Sequence, residues 1–329
     1  MSAVTPPPQL TPVLLPARTI EPPTTISAEA RAALSAGAGI PATAYPAPGD
    51  LEGWQRAQEA SAAIWDPVAA EMLTRCRSRI EMQSIAGVTT YLCTPPEPPP
   101  AGQPLYLYIH GGAFVFGSGR FAMAFGAQSA DELGLPTVSV DYRTPPPHPF
   151  PAALEDCFAV YRELRTGAPG RKIIVGGSSA GGNLAAAVTL LIRDRGLEPP
   201  AAVILLTPEV DLTESGDTFR TNALLDVNLK RGVPECNALY AGGHDLTDPY
   251  LSPLYGDFQR GFPPTFIQSG TRDVFLSNSV LMHRKLRRAR IDAELHVWEA
   301  MPHARFGFGA VPENEEIAAE LRSFIARHC

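Results

Sequence analysis

The chain has 329 residues, 45% of them hydrophobic and 19% charged, with a net charge of −7. That balance supplies a large apolar core and argues against nucleic-acid binding through a basic face. Proline is the outlier at 34 residues, about twice the usual share, and its clusters at 1–50, 95–104 and 145–151 predict extended or sharply turned segments.

Residues 1–25 read as an extended arm. A short helix is predicted at 27–38 with Ser27 as its N-cap. A second helical stretch begins after Asp50, where Leu51, Trp54, Ala57, Ala60 and Ile64 recur three or four residues apart. Pro67 is expected to break or restart it, with the pattern resuming through Met72. Two strand-like runs, 79–85 and 88–93, flank Ala86-Gly87, a hairpin signal. A proline-rich connector, 94–104, follows. Strands are then predicted at 105–109, 137–140, 172–175, 202–206, 265–268 and 293–298. Helical patterns lie between them near 121–133, 152–166, 180–194 and 277–290, and a last helix at 313–327. The aliphatic runs suit parallel strands covered on both faces, so the fold class is α/β with a doubly wound sheet. The basic run 283–290 reads as a solvated helix face.

The run KIIVGGSSAGGNLAAAVTLL passes from an apolar strand through Gly177-Ser178-Ser179-Ala180-Gly181 into an alanine-rich helix. This is G-x-S-x-G in the context a nucleophile elbow requires. The serine must project from a tight turn, so bulk two residues to either side would clash. Only Ser179 has glycine at both offsets. A phosphate-cradling turn is the competing reading, but no G-K-[ST] follows and G-x-G-x-x-G is absent.

Upstream, the 105–109 strand ends in His110-Gly111-Gly112-Ala113. An HGG loop there provides backbone N–H groups of Gly111 and Gly112 which, with that of Ala180, form an oxyanion hole. His110 precedes the elbow and is expected to brace this loop rather than act as the base. In this order of elements the acid follows a strand, then the base. Asp273, after the 265–268 strand, is the candidate acid; the alternative is a helix N-cap, although Ser277 could itself cap the next helix. His303, in the loop after the last strand, is the candidate base. The other six histidines precede the acid, lie on a helix or in a strand, or sit at the tail.

Taken together, HGGA (110–113), DYR…HPFPAALED (141–156), GSSAGGNLA (177–185), TPEVDLT (207–213), DPYLSPL (248–254), GTRD (270–273) and MPH (301–303) resemble the hormone-sensitive-lipase-like family of α/β-hydrolase carboxylesterases. GTRD and the ELHVWE segment also resemble bacterial ε-lactone hydrolases. The resemblance covers about 75–329. It implies an eight-stranded sheet, an N-terminal helical cap over 1–75, a catalytic domain over 76–329, no cofactor or metal, and activity on small acyl esters. It also implies the dimerisation through the last strand and helices that such proteins often show. Three departures stand out. Ala113 replaces a third glycine, which is tolerable if its φ is negative. Ser178 replaces an acid beside the nucleophile. Thr144-Pro145-Pro146-Pro147 removes an acid and leaves Arg143 without its usual neighbour.

The reading is a serine carboxylesterase, with a lactone hydrolase or an amidase or peptidase as alternatives. A hormone-receptor-like binding protein is disfavoured because serine, acid and histidine are all present. Phe114, Phe116, Trp54 and Trp65 are candidates for pocket walls or plain core. Five scattered cysteines, with no CxxC pair, point to reduced thiols and a cytoplasmic protein. No apolar run nears the roughly 20 residues of a membrane helix, and the N-terminus lacks the basic start of a signal peptide.

Overall fold

In a computed structural model, residues 12–97, 102–307 and 309–329 are described; the start of the arm and the middle of the 94–104 connector lie outside them. Eight strands form one sheet in the order β1-β2-β4-β3-β5-β6-β7-β8. They are β1 (Arg79–Ile85), β2 (Val88–Thr94), β3 (Leu105–Ile109), β4 (Thr137–Asp141), β5 (Ile173–Ser178), β6 (Ala202–Leu206), β7 (Thr265–Gly270) and β8 (Ala293–Trp298). β1 pairs antiparallel with β2, and β2 with β4; the rest of the sheet is parallel. Each predicted strand is present to within two residues at either end, except that β5 runs three residues past its predicted end, to Ser178. β3 is buried along its whole length and β5 as far as Gly177, which is why their sequences are continuous apolar runs rather than alternating ones.

The helices are α1 (Ala28–Ala38), α2 (Leu51–Arg75), α3 (Arg120–Leu133), α4 (Ala152–Gly167), α5 (Ala180–Asp194), α6 (Thr218–Thr221), α7 (Pro234–Ala241), α8 (Leu276–Arg288) and α9 (Pro312–His328). Ser27 caps α1, accepting the Ala30 N–H at 3.0 Å, while its own N–H and hydroxyl bind Glu313 at the start of α9. Pro67 does not break α2, which runs through it for 25 residues. The carbonyl it strips of a partner belongs to exposed Ala63, so water can satisfy it. Nor does the apolar spacing of α2 mark a wholly buried face. Leu51 and Ile64 are 61% and 66% exposed, whereas Trp54 is fully buried.

The excursion between β6 and β7 was not foreseen in outline. It carries α6, α7 and the loop between them over the C-terminal ends of the central strands, where the predicted site residues lie. Arg143 is not left alone: its guanidinium takes both oxygens of Asp156, an acid on α4 that replaces the lost neighbour. Among the described residues no helix is long and apolar enough to cross a membrane.

Candidate active site

β5 ends at Ser178, and α5 begins at Ala180. The residue between them, Ser179, has φ 58° and ψ −121°, a left-handed setting that L-residues adopt only where surrounding contacts impose it. The contacts are visible. A Cβ on Gly177 or Gly181 would lie well inside van der Waals contact with the carbonyl oxygen of Ile109 at the end of β3. The elbow is therefore pressed directly onto the neighbouring strand. Gly181→Ala should cost about 3 kcal/mol or more by overpacking, measurable as a lowered urea midpoint with unchanged slope. Asn183 on α5 anchors the elbow from beneath, donating to the carbonyls of Glu209 (2.6 Å) and Leu251 (2.8 Å).

His303, in the loop after β8, brings its Nε2 to 2.9 Å from Ser179 Oγ. Its Nδ1 is 3.1 Å from Asp273 Oδ1. Asp273 is fully buried and held from both sides: Oδ1 also accepts the Phe275 N–H at 2.9 Å, and Oδ2 accepts the Ser269 hydroxyl at 2.7 Å. Phe275 packs edge-on against the imidazole at 4.8 Å. Ser277 does not cap α8; its hydroxyl instead accepts the Thr218 N–H. Burial by itself would push the His303 imidazole down. The hydrogen bond and charge of Asp273, joined by the charge of Asp226, outweigh that and hold it above the ordinary imidazole range.

Gly111 lies over Ser179: a Cβ there would sit 3.2 Å from Ser179 Cβ. Ala180 opens α5, so its N–H is among those the helix cannot satisfy. Gly111 and Ala180 thus flank Ser179, and Gly112 follows in the same loop. His110 is buried inside the loop, stacked on Tyr142 at 4.1 Å, with Nδ1 2.8 Å from the Gly111 carbonyl. Tyr142 donates to the His110 carbonyl. Burial pushes this imidazole below its ordinary range, and the neutral ring donates its Nδ1–H to the loop it braces. Ala113 departs from expectation. Its φ is +50°, and Phe114 follows at +64°. The methyl group is carried in a conformation that costs an L-residue about 1–2 kcal/mol, and it still packs against the apolar side of the site.

That apolar side is a cluster built from Trp54, Val115, Phe219, Val233, Cys236, Leu239, Val274 and Phe275, with Tyr45, Ala113, Phe116 and Leu229 at its edge. Of the four aromatic residues singled out above, Phe116 alone belongs to this edge. Phe114 is core, stacked face to face on Tyr240. Trp54 is wholly buried and donates to the Ala47 carbonyl. Trp65 packs edge-on against Phe121. Phe219, Leu229 and Val233 escaped notice because they lie on short elements without periodicity. Among the described residues no three His, Cys, Asp or Glu side chains converge to hold a metal ion.

Comparison with known proteins bears on these residues. A family model described as the alpha/beta hydrolase fold matches residues 106–307. An esterase of Acinetobacter venetianus is 33% identical over 229 residues, 67% of this chain and 74% of that protein. A crystal structure of an esterase superposes with a TM-score of 0.89 at 33% identity, over 96% of this chain and 98% of the other. One of an esterase from the bacterial hormone-sensitive lipase family does so with a TM-score of 0.75 at 30% identity, over 92% and 98%.

Proposed function

Because the chain belongs to the hormone-sensitive-lipase-like family of α/β-hydrolase carboxylesterases, we propose that it hydrolyses short- to medium-chain acyl esters through a Ser179–His303–Asp273 triad. The observation that carries this reading is one unbroken chain of contacts, 2.9 Å from Ser179 Oγ to His303 Nε2 and 3.1 Å from His303 Nδ1 to Asp273. Ser179 Oγ attacks the ester carbonyl carbon as His303 Nε2 takes its proton. The tetrahedral oxyanion forms under the N–H groups of Gly111, Gly112 and Ala180. Collapse breaks the bond to the alcohol, which leaves with the proton returned by His303. Water, deprotonated by the same nitrogen, then releases the acid from the acyl-enzyme. Asp273 holds the imidazole with Nδ1 protonated and balances the charge it acquires.

We take residues 1–75 as a cap on a catalytic domain of 76–329. Gln58 of α2 supports this, donating to the carbonyls of Val115 and Pro145 on the loops beside the site. Two further proposals are dimerisation along the free side of edge strand β8 and residence in a reducing cytoplasm, the latter supported by five unpaired cysteines.

The test is a rate profile over p-nitrophenyl esters of increasing length, aliphatic lactones and a matched amide. Rates should be highest on the shorter acyl esters, because the Ala113 methyl and Phe116 crowd the oxyanion side. The amide should be slower by orders of magnitude. Equal rates on ester and amide would overturn the esterase reading, and a lactone preference would make the ester a secondary substrate.

A further inference from the structure

The segment between α6 and α7 grips the backbone of both the acid and the base of that triad. Asp226 is fully buried and accepts four backbone N–H groups. Oδ1 takes those of Asn228 and Leu229, both at 3.0 Å, which folds its own loop. Oδ2 takes those of Val274 at 2.9 Å and His303 at 3.0 Å. One oxygen therefore ties the residue after the acid to the base itself. Asn228 completes the hold on the base loop, donating to the carbonyls of His303 (2.8 Å) and Arg305 (2.9 Å). Asn222 does the same for the acid loop, donating to the carbonyls of Asp273 (2.8 Å) and Thr271 (3.1 Å). Both backbone polar groups of His303 are thus bound by this one segment.

From this geometry we propose that Asn222, Asp226 and Asn228 form a positioning clamp, with Asp226 as a second acid that sets both the placement and the basicity of His303. The proposal rests on the triad reading above. Asp226 touches neither substrate nor reacting atoms; it acts through His303.

Serine, glycines and helix N-terminus are fixed by the sheet, but acid and base stand on two separate loops. Their side chains must meet within hydrogen-bond distance, and a misplacement of about 1 Å can cost about 10² in rate. A carboxylate is suited to this task, since one group can accept several N–H donors at once, each bond strengthened by its charge. That charge also acts on the imidazole. The groups facing His303 are Asp273 from the loop after β7, Asp226 from the clamp, the Ser179 hydroxyl and the Phe275 ring. Nearby cations are engaged elsewhere: Lys230 with the Ala38 carbonyl, Arg231 with Thr43 and Glu235, Arg305 with Glu132. Burial, and then the charge of Asp273, push Asp226 up to about 6. At neutral pH it is ionised and favours the imidazolium.

Asp226→Asn keeps the shape and removes the charge and half of the accepting capacity. kcat should fall by about 10² with KM nearly unchanged. The acid limb of kcat/KM should move to lower pH, because His303 loses a negative neighbour. Asn228 is exposed, so Asn228→Ala should fold and lower kcat by about tenfold without moving the limb. A purely structural role would lower the melting temperature and leave both kcat and the limb in place.

If Asp226→Asn does not fold, Asn228→Ala decides: a kcat about tenfold lower at an unchanged melting temperature supports the clamp, and full kcat overturns it. Failure of the triad itself is read separately: an organophosphonate that inactivates the wild type should modify Ser179, and modification elsewhere would sink that reading whatever the clamp variants do.

Discussion

Ser179→Ala should lower kcat by about 10⁶ while leaving the protein folded. The substitution deletes one oxygen and the 2.9 Å contact to His303. It leaves the elbow in place, since the backbone is set by Gly177 and Gly181 against Ile109 and an alanine occupies the φ of 58° as readily as a serine does. Oxyanion donors and substrate contacts remain, so some hydrolysis above the uncatalysed rate should survive, on the order of 10³-fold. Urea unfolding and kcat on a short p-nitrophenyl ester check both halves. Retention of activity within a hundredfold of wild type would mean that another group is the nucleophile. A collapse of stability would mean that the serine holds the turn together.

Asp273→Asn should cost about 10³ in kcat, less than the roughly 10⁴ seen where an asparagine forces the wrong histidine tautomer. The difference follows from what surrounds the carboxylate. Oδ1 faces a fixed donor, the Phe275 N–H, whereas Oδ2 faces the Ser269 hydroxyl, which can rotate to accept. An asparagine therefore places its oxygen toward Phe275 and His303 and its amide toward Ser269. The correct tautomer survives and only the charge is lost. Removing that charge lowers the affinity of His303 for its proton, so the acid limb of kcat/KM should move to lower pH. Ser269→Ala in the asparagine background removes the acceptor and should deepen the loss. If the single variant already loses 10⁴ or more, the amide has turned the other way.

Ser179, Gly111, Gly112, Asp273 and His303, the residues proposed for the site, stand out in the sequence because each sits where a strand runs out, and strands as apolar as 105–109 and 172–175 declare themselves. Local chemistry then limits the choice: a serine with glycine two residues away on both sides, an aspartate past the β7 strand, a histidine past the last one. The clamp had no such signal. Asp226 follows two leucines in a stretch with no period, and its importance comes from burial and from partners 48 and 77 residues away. The sign of φ at Ala113 was equally hidden, because a loop's dihedrals answer to its tertiary contacts. Pro67 misled for the opposite reason. A local rule about proline was overridden by the exposure of the carbonyl it orphans. The cluster beside the site drew on Phe219, Leu229 and Val233, which only the path of the chain brings together.

The direct seating of the elbow on β3 has a bearing on how such a protein can diverge. Ser179 and the Gly111–Gly112 loop are related by the spacing of two hydrogen-bonded strands, with backbone against backbone and no side chain between. Changes elsewhere in the interior can alter volumes without altering that spacing. The proposed acid and base lack this immunity, and their alignment depends on three side chains of one short segment that also carries residues of the apolar cluster beside the site. Mutations that reshape that cluster will tend to disturb alignment as well. New substrates should therefore be acquired more readily through the N-terminal residues and the Ala113 side, with the 222–233 segment changing late and in concert.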